Sequence, residues 1–285
     1  MIEFFNALSN PDISFLHYAL LAGMLASIAF GIIGSYVVVK RISYIAGAIS
    51  HCVLGGIGAA LFLSTNYNIE WITPMLGATL AALLSAVIIG LVSIYSKERE
   101  DTVIGALWVM GMAIGIILIA KTPGYIDPMS YLFGNILMIS KQDLLFILIL
   151  DIIITFLGIF FYNKLLAVCF DEEFAKLRGL KTDFYYLFLL CLTAITIVLL
   201  VRIVGIIMVI ALLTLPAATA NHFSGRLWQM MIISIILSML YIFFGLAISY
   251  DNNLPSGATI VILAGFVYLF VIIIKAGFKI IKSRL

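Results

Sequence analysis

Charge is what this sequence most lacks. Only 11% of its 285 residues are Asp, Glu, Lys or Arg, while 64% are apolar, which leaves too little polar surface to coat a water-soluble globule. Cysteine is equally scarce. Cys52, Cys169 and Cys191 show no CxxC spacing, so neither a disulfide framework nor a thiolate metal site is indicated. There is no Walker A pattern and not even a Gly-Lys dipeptide, which excludes a P-loop nucleotide site from these residues. Metalloprotease and serine-nucleophile signatures are missing as well, so no catalytic residues are expected. A net charge of +2 gives no support to nucleic-acid binding.

What is present is long apolar runs, with a mean hydropathy of +1.23. A bilayer crossing needs about 20 apolar residues in helix, and candidate spans lie at 15–39, 44–64, 71–95, 102–120, 144–162, 184–201, 203–221, 228–249 and 257–274. The runs are apolar on every face, unlike the alternating strands of a membrane barrel. The fold expected is therefore an all-α polytopic membrane protein of eight to nine spans, forming one domain over 1–285. The first span follows Glu3 and Asp12 instead of a basic segment and reads as retained, not as a signal peptide.

Basic residues set the expected orientation, because cytoplasmic loops retain Lys and Arg. An outside N-terminus puts thirteen of the sixteen inside, among them Lys40, Arg41, Lys164, Lys176, Arg178 and Lys181, and leaves Lys121, Lys141 and Arg202 outside. The C-terminus is then cytoplasmic. The longest pieces outside the spans are an outer stretch, 121–143, and a cytoplasmic stretch, 163–183. Residues 129–139 of the outer stretch are apolar but too short to cross, which suits either an interfacial or re-entrant lid or an inert loop on the headgroups.

In the cytoplasmic stretch, Asp171, Glu172 and Glu173 precede Lys176 and Arg178. Acids first and bases last complement a helix dipole, and Gly179 is placed to end the helix. Phe174 and Leu177, three apart, share a face that a partner protein could cover. A solvated loop is the plainer alternative.

His51 stands in the segment VVKRISYIAGAISHCVLGGIG, residues 38–58. An ionisable residue inside a span is a candidate for function, and neutral imidazole suits zinc and other borderline metals. The same ring can also serve as interhelical glue. Gly47, His51, Gly55 and Ala59 recur every four residues, and Gly56 adds a second small position, so this helix is expected to pack closely. Asp151 lies about 12 Å below Asp143 along a helix; it faces either a metal pathway or an interhelical hydrogen bond. Later, Gly205, Thr214, Pro216 and Thr219 interrupt an apolar run. A bend is expected at 215–220, because Pro216 removes one backbone bond.

Four stretches carry a family resemblance. FDEEFAKLRGL (170–180) resembles the cytoplasmic coupling region of the metal-transport permeases of ATP-binding-cassette importers, with Asp171, Glu172, Glu173, Phe174, Ala175, Leu177, Gly179 and Leu180 as its candidate contacts. RISYIAGAISHCVLGGIG, TVIGALWVMGMAIGIIL and VGIIMVIALLTLPAATA are similar to that family's early, middle and late motifs, in the same order along the chain. The resemblance implies a transport subunit and not an enzyme. It implies a homodimer in the bacterial cytoplasmic membrane, two ATPase subunits below and an extracytoplasmic metal-binding protein above. ATP is used by the partner, no cofactor is held permanently, and a divalent ion such as zinc, manganese or iron(II) is the cargo. An ion-coupled secondary transporter is the alternative. The chain departs from the family pattern at Gly47, where many members carry Asp four residues before the histidine. Any partner of His51 must then come from another helix, a second copy or water.

Overall fold

Backbone amides in a bilayer core must find their partners within the protein, and apolar runs of this length answer that demand as helices. In a computed structural model the described residues are all but 1, 11–13, 70, 97–98, 124–131, 133, 135, 137–138 and 285. They form twelve helices: α1 Ile2–Leu8, α2 Ser14–Lys40, α3 Ser43–Tyr67, α4 Pro74–Tyr95, α5 Glu100–Ala120, α6 Lys141–Phe160, α7 Tyr162–Phe170, α8 Glu172–Leu177, α9 Thr182–Val204, α10 Ile206–Asn221, α11 Leu227–Asp251 and α12 Ser256–Arg284. Eight of these are long and apolar enough to cross a membrane. The segment anticipated at 203–221 is the shorter helix α10, of 16 residues.

Close contacts give the helix directions. Gly23 lies against Ile242 and Gly31 against Ile235, so α2 and α11 run antiparallel. Asp151 accepts the Ala29 N–H and Tyr36 donates to the Gly158 carbonyl, at 3.0 and 2.9 Å, so α6 runs parallel to α2. Gly47 faces Trp108 and Gly58 faces Gly115, which makes α3 and α5 parallel. One end of the bundle thus gathers Lys40, Ser93–Tyr95, Glu172, Asp183, His222 and Lys275. The other end holds α1, whose Phe4 N–H donates to Asp251 at 2.9 Å and whose ring packs on Phe243 and Tyr250.

Several boundaries differ from the sequence reading. Ser140 and Asp143 form a reciprocal capping box, which starts α6 at Lys141 and shortens the outer stretch anticipated at 121–143. Helix α1 was not foreseen; His17 ties it to α2 through a 2.9 Å contact with the Leu8 carbonyl. Most of 129–139 lies outside the described residues, although Ile136 within it is buried. The chain stays helical through Pro216, and the break in the late apolar run falls at Gly205, with φ 79°. A left-handed φ of this kind is strained for any residue with a Cβ.

Candidate functional site

Helix α3 is clasped between α4 and α5 because it presents glycine to both. Gly56 meets the Gly77 carbonyl of α4, while a Cβ at Gly55 would stand 2.8 Å from the Gly111 carbonyl of α5. Small residues let helix backbones touch, which is how helices associate where lipid offers no hydrophobic drive. The side chains between α3 and α5 are therefore held at short range.

His51 sits in that clasp and is 9% exposed. Its ring stacks on the Trp108 indole of α5, with centroids 4.8 Å apart and planes 24° from parallel. Its Nδ1 lies 3.1 Å from the Met112 sulfur, one turn further along α5. Gly47 makes the stack possible, because a Cβ there would come within 2.5 Å of the indole. The position where a carboxylate was sought is thus occupied in space by Trp108. Beyond the indole, toward the Lys40 end, a cleft is lined by Trp108 with Tyr44, Asp101, Ile104 and Gly105.

Asp151 is 4% exposed, and its carboxylate accepts the Ala29 N–H within α2. The two residues singled out as pathway candidates are not brought together: His51 finds its neighbours on α5, Asp151 on α2. Thr214 and Thr219 donate to the Ile210 and Leu215 carbonyls of their own helix, each at 2.8 Å. Pro216 is buried. Among the described residues no group of three His, Cys, Asp or Glu could hold a metal ion.

At the Lys40 end the short helix anticipated from its charge order is present. Asp171 caps α8 by accepting the Phe174 N–H at 2.9 Å. Gly179 ends it at φ 81°, and the Leu180 N–H closes back on the Ala175 carbonyl. Ala175 is buried on the inner face, whereas Phe174 and Leu177 are 52% and 87% exposed. The sequence reading missed what anchors this helix. Lys40, at the end of α2, donates to Glu172 at 2.8 Å and to the Val168 carbonyl at 3.0 Å. Glu172 in turn pairs with Lys176 at 3.2 Å, and Lys176 with Asp183 at 3.3 Å. Burial pushes the Glu172 carboxyl up, but hydrogen bonds from Lys40 and Lys176 outweigh it and hold the group below its ordinary value. Lys176, held by Glu172 and Asp183, is raised. The i, i+4 spacing of Glu172 and Lys176 was legible; the reach of Lys40 from 132 residues away was not.

A model of the ABC 3 transport family matches residues 12–275. The chain is 42% identical over 262 residues to a Chlamydia trachomatis serovar D protein named "Probable metal transport system membrane protein", covering 92% of this chain and 89% of that one. It is 33% identical to "Manganese transport system membrane protein MntC" of Listeria monocytogenes, over 95% of each. The solved structure of PsaBC from Streptococcus pneumoniae in complex with Fab superposes with a TM-score of 0.83 at 32% identity, covering 95% of each chain.

Proposed function

This chain belongs to the ABC 3 transport family, and on that premise we propose that it is the membrane permease of an importer for a divalent transition metal ion. It is a transport subunit, not an enzyme. Relatives named for metal and manganese transport support the cargo class. Imidazole chemistry at His51 keeps zinc beside manganese as the ions to try first. In this reading the Lys40 end is cytoplasmic, with the N-terminus outside, and the membrane is the bacterial cytoplasmic one. Two copies pair around the pathway, and an extracytoplasmic binding protein delivers the ion.

The observation that carries the coupling role is α8. Its capped helix exposes Phe174 and Leu177 while its inner side is fastened to α2 and α9 through the Lys40, Glu172, Lys176 and Asp183 chain. An apolar pair held outward on a tethered helix suits a groove in a partner, and the partner proposed is an ATPase subunit. ATP binding and release there would move α8 and, through it, the bundle, opening the pathway alternately to each side. Reconstitution in liposomes decides the matter. Metal accumulation is expected only with the ATPase chain and ATP present, and a cysteine at Leu177 is expected to cross-link to that chain. Uptake driven by an ion gradient alone would establish a secondary transporter instead.

A further inference from the structure

We propose that the cleft at the Lys40 end of the bundle is a phosphate site, and that the head group of a membrane phospholipid fills it and braces α8. The cleft measures about 510 Å³ and is lined by Lys40, Arg41 and Lys176 together with Ser93, Tyr95 and Tyr186. It opens where α2 and α4 end and α9 begins. Basic pockets at the ends of membrane helices are where lipid head groups dock.

Arg41 carries the proposal, and it has no part in the transport reading above. It stands one residue past the end of α2 with φ 64°. Its N–H donates to the Val38 carbonyl at 3.1 Å, and the Ile42 N–H donates to the Val37 carbonyl at 3.0 Å. Glycine ordinarily completes that double closure. Arginine is strained in a left-handed conformation, and nothing local offsets the strain, because the guanidinium has no ion-pair partner among the described residues. A strained residue of this kind points to a role outside the fold itself.

The charges around Arg41 leave room for an anion. Two carboxylates, Glu172 and Asp183, also line the cleft, but Lys40 and Lys176 answer them at 2.8, 3.2 and 3.3 Å. Arg41 is left as the uncompensated charge. An ammonium has three N–H groups. Lys40 uses two, on Glu172 and the Val168 carbonyl, and Lys176 uses two, on Glu172 and Asp183. One donor of each lysine and the whole guanidinium fork are open to a phosphate, which arginine binds through two parallel hydrogen bonds. A phosphate shared by Arg41 and Lys176 joins the corner between α2 and α3 to α8, as a second link beside the Lys40–Glu172 pair.

The test follows hydrogen exchange of residues 172–177 in the full-length chain in maltoside micelles, which carry no phosphate. Phosphatidylglycerol is added in one arm and inorganic phosphate in the other. Phosphatidylglycerol at twice its Kd is expected to slow exchange about threefold in wild type, and to leave it unchanged in Arg41→Asn, since asparagine tolerates the left-handed conformation but lacks the charge. Without either addition, Arg41→Asn is expected to melt no lower than wild type, because the strain is relieved. A lower Tm would make Arg41 a structural residue and overturn the proposal. So would an absence of slowing in both arms, or equal slowing in wild type and variant. Slowing that depends on Arg41 but comes only from inorganic phosphate keeps the site and overturns lipid as its source.

Discussion

At the scale of single residues, glycine decides which side chains meet. Gly47 is the clearest case, since Trp108 fills the space its missing Cβ leaves. Gly47→Asp is expected to lower stability by about 1–3 kcal/mol through overpacking, read as a fall in Tm of the detergent-solubilised protein. Gly47→Asp is expected to cost less in a Trp108→Ala background than in the native one, because the collision is gone. Asp151 makes a different case. Asp151→Asn keeps an oxygen for the Ala29 N–H, whereas Asp151→Leu removes the interhelical bond and leaves that amide to its own helix, at a cost of about 0.5–1.5 kcal/mol. Thermal unfolding of the two variants should separate by that amount; equal Tm values would show the bond to be unimportant. His51 was legible in the sequence as an ionisable residue where lipid surrounds the chain. Its true neighbours were not, because Trp108 and Met112 reach it from a helix nearly 60 residues away, and nothing local records which face of α5 turns inward.

At the scale of elements, the α8 tether makes the coupling segment sensitive to acid. Glu172 titrates below its ordinary value in the folded chain. Its contribution to holding α8 is therefore complete at any pH above the unfolded value and lost as pH falls through the folded one. Hydrogen-exchange protection of residues 172–177 should stay flat through neutral pH and fall only under acid conditions below the usual glutamate range. Glu172→Gln should weaken the dependence, leaving only what the Asp171 cap and Asp183 contribute. Glu172 is partly exposed, so salt should loosen the tether too. Charge order and Gly179 announced this helix correctly, because capping and the dipole act within one turn. The seventh segment, 203–221, was harder. The sequence reading placed the boundary at Arg202, because hydropathy cannot register the left-handed φ that puts it at Gly205, between α9 and α10.

At the scale of the whole molecule, the helix directions form one consistent set. α2 and α6 run together, α11 runs against α2, and the polar groups of Lys40, Glu172, Asp183 and His222 collect at one end. Cysteines at Leu177 and Asn253 are accordingly expected to react with an impermeant reagent from opposite sides of the membrane. Labelling of both from one side would contradict the arrangement. Composition predicted a membrane protein, and runs that are apolar on every face predicted helices instead of barrel strands. Which helices neighbour one another depends on glycine contacts across long sequence distances and had to be seen. One of those helices has an electrical consequence. Sixteen residues give α10 a length of about 24 Å, against about 30 Å of hydrocarbon. From Ile206 to Ala220 none of its described side chains is exposed, so protein and not lipid covers the remaining depth. The Gly205 turn that begins α10 then lies below the membrane edge, and its backbone dipoles act at low dielectric on any charge that passes there.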